Sequence, residues 1–345
     1  RLWPCQVMRP CADTQRNREK LNSVTHRERD YSKSISGLFE DWAAKQPDET
    51  AIVTCDGVEH SYRKLRNMVQ SIAGNLLSAG VKENDNVVII PKRDETMIAA
   101  IFAILSVKAT YVPVDITYPD QRIADIISQS EANVIIADDS VRDRITEGKV
   151  FLNIHECATS MQVGQTASSI EESEHDENRT AYILFTSGST GVPKGVRVSR
   201  KNLINFIYDT QERKLIGEPG NRILCITSPS FDIFGYESVT PICSGSSIYI
   251  CNQIEQIDAK RTGEKIQKHN VTHMLSSVSR LKAFVENKEF AGALKTLKYI
   301  LGGGENYPAS MLKFLQENTN ARIYNLYGPT ETTIWSTVKE LTDSD

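Results

Sequence analysis

Short apolar runs recur along this chain, and stretches of helical periodicity stand between them. "NVVIIP" is followed by "ETMIAAIFAILSV", "TYVPVD" by "QRIADIISQS", and "ANVIIAD" by a polar stretch. The alternation resumes after residue 200 through "KNLINFIYDT", "RILCITS", "SSIYICN", "GEKIQKHN", "THMLSS", "LKYILGG", "SMLKFLQENT" and "ARIYNLYG". A strand without a polar face must be covered on both sides, so the pattern predicts an α/β fold with helices on both faces of its sheets. Ahead of these runs, "GLFEDWAAKQP" sets Leu38, Phe39, Trp42 and Ala43 at helical spacing and ends at Pro47. "TAIVTC" reads as a strand and "GVEHSYRKL" as a turn and strand edge. "RNMVQSIAGNLLSAGV" reads as an amphipathic helix with Gly80 near its C-terminus. No repeat of fixed period is present.

Residues 1–34 are polar, rich in Arg, Asn, Thr and Ser, and lack periodicity. They read as a linker or the tail of an upstream domain, with residues 35–345 as one ordered unit. The polar stretch "GQTASSIEESEHDENR" (residues 164–179) reads as an internal loop. Bulk properties narrow the function. With 345 residues and 40% hydrophobic content the chain can bury a sizeable core. A net charge of −4 gives no general pull toward nucleic acid or anionic lipid. The longest near-continuous apolar run, residues 97–107, is too short to span a bilayer. The seven cysteines are scattered, with no C-x-x-C pair and no histidine at metal-ligand spacing. They read as free thiols and favour a cytoplasmic location.

One loop carries chemistry. In "TAYILFTSGSTGVPKGVRV" (residues 180–198), residues 186–195 are mostly hydroxyls and glycines, closed by Pro193, Lys194 and Gly195. Glycines bring backbone N–H groups close to a ligand, hydroxyls add donors and Lys194 adds a cation, a set suited to polyphosphate. The Walker-type ending Gly-Lys-Ser/Thr is absent, and "GSTG" lacks the second glycine of the dinucleotide fingerprint. A merely flexible Ser/Gly linker is the remaining alternative, and Pro193 with strands on both sides argues against it.

This loop resembles the signature phosphate loop of the adenylate-forming enzymes, which include acyl-CoA synthetases, firefly luciferase and the adenylation domains of nonribosomal peptide synthetases. Four further segments resemble the family in order: "YVPVDITYPDQRI", "SFDIFGYE", "LGGGENYP" and "NLYGPTETTIW". The resemblance covers residues 20 to 345. "YVPVD", "YPDQRI" and Phe231-Asp232 favour the peptide-synthetase branch over acyl- or aryl-CoA ligases, the first alternative; a non-catalytic nucleotide-binding module is the second.

The resemblance implies the adenylate-forming N-terminal core, stacked mixed and parallel sheets with helices on both faces. It implies attack of an amino-acid carboxylate on the α-phosphate of ATP, then transfer to a phosphopantetheine thiol on a peptidyl carrier. By the same resemblance Thr186, Ser187, Gly188, Ser189, Thr190, Gly191 and Lys194 hold the β- and γ-phosphates. Glu331 would hold Mg2+ and Thr330 would touch the α-phosphate. Tyr327 would stack on adenine, framed by Asn325 and the Gly303-Gly304 backbone. Asp232 would pair with the substrate ammonium, because a carboxylate in an apolar pocket needs a cation. Ile233, Tyr236, Leu275, Leu301, Gly303, Leu326, Ile334 and Trp335 would line the side-chain pocket. All but Tyr236 are apolar, so a neutral substrate is expected, cysteine or a small to medium aliphatic residue. An upstream condensation domain is a possible neighbour.

The sequence departs from the family at Phe185 (a common Tyr), Arg200 (a common His) and Lys108 (a small residue). The family's Thr-Gly-Asp segment, hinge and C-terminal subdomain with its catalytic lysine are not found in these 345 residues. The chain by itself is therefore expected to adenylate poorly.

Overall fold

The computed structural model describes residues 31–145, 148–160, 178–186 and 193–342. The strands are β1 (Thr50–Val53), β2 (Glu59–Ser61), β3 (Asn86–Ile90), β4 (Thr110–Pro113), β5 (Val134–Ala137), β6 (Val150–Asn153) and β7 (Thr180–Thr186). They continue with β8 (Lys194–Ser199), β9 (Arg222–Cys225), β10 (Ser247–Ile250), β11 (His273–Ser277), β12 (Tyr299–Gly303), β13 (Arg322–Tyr327) and β14 (Thr337–Glu340). Among the described residues they build two sheets, ordered β14-β13-β12-β11-β9-β10-β1-β2 and β6-β5-β3-β4-β7-β8. Both are parallel inside, with antiparallel partners at β2, β14 and β8. The apolar runs of the sequence lie where two-sided burial requires them: β4, β5 and β10 are buried along their whole length.

Three apolar cores organise the layers. The largest takes Ile52, Val87, Ile248 and Leu275 from both sheets, together with the buried faces of helices Ile35–Lys45, Tyr62–Ser78 and Glu95–Ser106. A second packs helices Ala259–Lys268, Val278–Val285 and Ala309–Asn318 against the eight-stranded sheet. A third packs helix Asp120–Gln129 against β3, β4 and β5. The fold expected from the sequence is the fold observed: two sheets with helices on both faces.

Local signals placed the helix ends. Ser34 caps the first described helix by accepting from the Gly37 N–H at 3.0 Å. Gly80 sits just past Tyr62–Ser78 at φ 85°, with Val81 N–H donating to the Leu76 carbonyl. The strand-edge reading of "SYRKL" needs correction. Ser61 accepts from Lys64 N–H and starts a helix at Tyr62, leaving β2 only three residues. The polar stretch after β5 holds a 3-10 turn (Asp139–Arg144), β6 and a short helix, Ile154–Thr159. Most of the expected 164–179 loop lies outside the described residues.

Of the cysteines, Cys157, Cys225, Cys243 and Cys251 are buried and free, and Cys55 is half-buried and free. No described helix is long and apolar enough to cross a membrane.

Candidate active site

In open α/β sheets, ligands collect outside the carboxyl ends of the strands. The segments singled out in the sequence lie at such ends: the turn after β9, the glycines closing β12 and the turn after β13.

The antiparallel pair β7–β8 fixes both ends of the hydroxyl-rich loop. Thr186 faces Lys194 on the last rung of the ladder, and the Thr186 hydroxyl reaches the Lys194 carbonyl at 3.5 Å. Lys194 is exposed. Ser187, Gly188, Ser189, Thr190 and Gly191 lie outside the described residues.

Strand alternation then makes two different faces from neighbouring residues. Leu275 on β11 stands beside Leu301 on β12, and Gly303 stands beside Leu326 on β13. Leu275, Leu301 and Leu326 belong to the large core between the sheets, as do Ile334 and Trp335. Asn325 pairs with Gly302, one residue out of phase, and so points to the opposite face with Tyr327. There the Tyr327 ring is 68% exposed at the end of its strand. Asn325 Oδ1 is buried without a hydrogen-bond partner, an acceptor left for a ligand donor. Gly302 has to be glycine: a Cβ would stand 2.3 Å from the Tyr307 hydroxyl, whose ring lies across the strand.

The turn after β13 folds back sharply. A Cβ at Gly328 would meet Trp335 Cα at 2.4 Å. Ser336 N–H donates to the Tyr327 carbonyl at 3.0 Å, closing the turn. Thr333 and Ile334 both take left-handed backbone, φ 66° and 69°, which β-branched residues rarely adopt. Such positions cost of order 1–3 kcal/mol each and cluster at ligand sites. Here they turn Ile334 and Trp335 inward while leaving Glu331 exposed. The Ile334 side chain reaches within 3.2 Å of where a Cβ on Gly235 would stand.

Asp232 starts the short helix Ile233–Glu237 and accepts from the Ile233 N–H at 2.8 Å. Burial pushes its carboxyl above the usual range. The Thr330 hydroxyl and the Ile233 N–H favour the charged form, and nearby Glu331 opposes it. A carboxyl in this setting gains most from a cationic partner. Ile233 is half-buried beside it and packs on the large core. Tyr236 is fully buried, and its hydroxyl donates to the Leu215 carbonyl at 2.7 Å. The one hydroxyl expected among the pocket residues is thus committed to the backbone. Trp335 is held between Phe206 at 4.6 Å, edge-on, and Tyr236 at 5.0 Å.

Glu331 forms no ion pair among the described residues. It is an exposed, uncommitted hard oxygen ligand, as Mg2+ shared with substrate phosphates requires. No cluster of three or more metal-ligating side chains stands among the described residues, so Glu331 could hold such an ion only together with phosphate oxygens of a substrate.

The sequence reading passed over three groups. Phe206 backs Trp335 from helix Arg200–Glu212. Tyr182 on β7 has a buried hydroxyl with no partner among the described residues; burial raises its pKa, and nearby Tyr111 and Asp232 push the same way. Asp115, inside the quoted "YVPVD", accepts from the Ser228 hydroxyl and ties β4 to the turn before Asp232. Asp115 and Tyr182 stood in segments whose resemblance could have flagged them, and Phe206 did not.

A family model described as AMP-binding enzyme matches residues 39–345. The dimodular nonribosomal peptide synthase of Bacillus subtilis (strain 168) is 30% identical over 305 residues, covering 88% of this chain and 13% of that protein. The chain thus spans about an eighth of that relative's length. Among solved structures, the nonribosomal peptide synthetase FmoA3 (S1046A) in its AMPPNP-bound form superposes with a TM-score of 0.85 at 21% identity, covering 96% of this chain and 35% of that one. The Klebsiella oxytoca NpsA N-terminal subdomain in complex with 3-hydroxyanthranilyl-AMSN gives a TM-score of 0.77 at 21% identity, covering 90% of this chain and 76% of that one.

Proposed function

Because the chain belongs to the AMP-binding enzyme family, we propose that it is the larger part of a nonribosomal peptide synthetase adenylation domain that activates a neutral α-amino acid. The observation that carries this reading is Asp232. Its carboxyl is half-buried next to Ile233, which packs on the large core; it stands beside Thr330 and Glu331, and burial raises its pKa. An α-ammonium group supplies the missing positive charge, and the substrate carboxylate is then directed toward Thr330.

The reaction is displacement at phosphorus. A carboxylate oxygen attacks the α-phosphate of ATP, the bond to the β-phosphate bridging oxygen breaks, and aminoacyl-AMP and pyrophosphate form. The carboxylate is already a nucleophile, so no side chain has to remove a proton. Rate acceleration rests on alignment and on neutralising phosphate charge. Thr186 and Lys194, together with Ser187, Gly188, Ser189, Thr190 and Gly191, hold the β- and γ-phosphates. Thr330 contacts the α-phosphate, and Glu331 would hold Mg2+, which would supply positive charge to neutralise the phosphates. Asn325 accepts from the adenine amino group, Tyr327 stacks on the base, and the Gly303-Gly304 backbone borders it.

Ile233, Leu275, Leu301, Gly303, Leu326, Ile334 and Trp335, with the Tyr236 ring, offer no charge to the side chain. Cysteine or a small to medium aliphatic amino acid suits that lining. The aminoacyl group then passes to a phosphopantetheine thiol of a peptidyl carrier. Residues 1–34 would link this unit to an upstream domain, a condensation domain being the candidate.

The test is ATP–pyrophosphate exchange by the chain in its full-length context, screened across the proteinogenic amino acids. Exchange dependent on cysteine or an aliphatic amino acid supports the reading. Exchange dependent only on carboxylic acids without an α-amino group overturns it in favour of an acyl- or aryl-acid ligase.

A further inference from the structure

The helix that Asp232 begins ends on a buried carboxylate, Glu237, and a half-buried guanidinium, Arg93, holds the turn before that helix; the proposed reaction uses neither. Glu237 ends the same short helix that Asp232 begins, and it is fully buried. Its Oε2 accepts from the N–H groups of Ile226 at 2.9 Å and Thr227 at 2.7 Å. Its Oε1 accepts from the Thr227 hydroxyl at 2.7 Å. Arg93, just past β3 of the other sheet, grips the same turn by carbonyls on either side of Ile226. It donates to Thr227 O at 2.6 Å, Cys225 O at 2.8 Å and Cys251 O at 2.6 Å. Gln256 takes the Ile226 carbonyl at 2.6 Å, and Asp115 takes the Ser228 hydroxyl.

The turn between β9 and Asp232 therefore owes its position to side chains rather than to a ladder. Backbone bonds then carry that position forward: Phe231 N–H to Ser228 O at 3.1 Å, Phe234 N–H to Phe231 O at 3.1 Å, and Gly235 N–H to Asp232 O at 2.8 Å. A helix of five residues cannot hold its own orientation, since helical stability at that length comes from tertiary contacts. Here it is pinned at its far end by the Glu237 carboxylate. A buried carboxylate is costly, and burial pushes Glu237 up to about 7 while the Thr227 bonds and Arg93 favour its charged form.

We propose that Glu237, clamped through residues 226–227 by Arg93, is the positioning residue that aims Asp232 at the substrate ammonium. This rests on the adenylation reading above. Glu237 touches neither substrate nor nucleotide, so its loss acts on recognition of the amino group and leaves the nucleotide face alone.

The test is calorimetric titration of the 345-residue chain with three ligands: cysteinyl-sulfamoyl adenosine, its des-amino analogue and AMP. The first two differ only by the α-amino group, so their affinity ratio reports Asp232 placement. Glu237→Gln keeps one oxygen for the Ile226 and Thr227 N–H groups, but it removes the negative charge and turns an NH2 group toward the Thr227 hydroxyl, which must then accept instead of donate. It is expected to cut the ratio about tenfold while AMP binding stays unchanged, a loss equivalent to about 1.4 kcal/mol. Thr227→Val removes only the bond to Oε1 at nearly constant volume, and it is expected to lower the ratio about threefold. It keeps the question answerable if loss of the buried charge prevents Glu237→Gln from folding.

A ratio that survives in the folded variants overturns the clamp, as does an equal loss for all three ligands. A wild-type chain that does not distinguish the first two ligands contradicts the adenylation reading itself, and the clamp falls with it.

Discussion

The Tyr236 hydroxyl donates to the Leu215 carbonyl at 2.7 Å, and both residues are buried. A pocket whose one hydroxyl, read from sequence, is that of Tyr236 is therefore apolar on that side. Tyr236→Phe should leave the Leu215 carbonyl without a partner and cost about 1–2 kcal/mol of stability, measured by urea denaturation. The same variant should keep the wild-type preference between cysteine and 2-aminobutyrate in pyrophosphate exchange. A changed preference would show that the hydroxyl serves the substrate after all.

Lys108 sits in left-handed backbone at φ 60°, just after helix Glu95–Ser106. Lys108 N–H reaches the Leu105 carbonyl at 3.2 Å and Ala109 N–H the Ile104 carbonyl at 3.0 Å, the hydrogen-bond pattern of a Schellman cap. Glycine is the residue that this position favours, which explains why a small residue is expected there and why lysine is a departure. Lys108→Gly should raise stability by about 0.5–1 kcal/mol, seen as a higher melting temperature with ligand affinity unchanged.

His273 is fully buried on β11, stacked 4.3 Å from Tyr299, with Nδ1 against the Thr272 hydroxyl at 2.8 Å. Burial lowers its pKa to about 3, and Lys298 pushes the same way. A depressed folded-state pKa stabilises the fold above the unfolded value of about 6.5, and that stability is lost as pH falls from there toward 3. Between pH 7.5 and 5 the loss from this one group is about 2 kcal/mol. His273→Phe keeps the stacking and should remove that portion of the acid dependence. Chemical denaturation of both proteins at the two pH values measures it; parallel curves would contradict the assignment.

Glu331 is exposed and forms no ion pair among the described residues. Glu331→Gln should weaken Mg2+-dependent binding of a non-hydrolysable ATP analogue about tenfold or more. AMP binding without Mg2+ should stay at the wild-type level. Equal loss in both titrations would place Glu331 on the nucleotide rather than on the ion.

What the sequence made legible follows from local physics. Two-sided burial writes a strand as an unbroken apolar run, so β3, β5 and β10 could be read directly. Ordered motifs marked the turns after β9, β12 and β13, because those turns need particular residues at fixed offsets. The remainder depends on partners far away in the chain. Nothing near Tyr236 says that its hydroxyl meets a carbonyl 21 residues upstream. Nothing near Arg93 says that it reaches Cys225, Thr227 and Cys251 on the other sheet. Ser61 was misread because one hydroxyl can end a strand edge or start a helix, and the Lys64 N–H decides which. The left-handed pair Thr333 and Ile334 runs against residue preference and is imposed by the close approach of Gly328 to Trp335.

The central claim is that Asp232 reads an α-ammonium group. Its most direct test compares cysteinyl-sulfamoyl adenosine with its des-amino analogue on wild type and on Asp232→Ala. In wild type the amino ligand should bind about a hundredfold more tightly, as expected for a desolvated charge pair worth about 2–3 kcal/mol. In Asp232→Ala the two ligands should bind alike, with the des-amino ligand near its wild-type affinity. A preference for the amino ligand that persists without Asp232 would contradict the account.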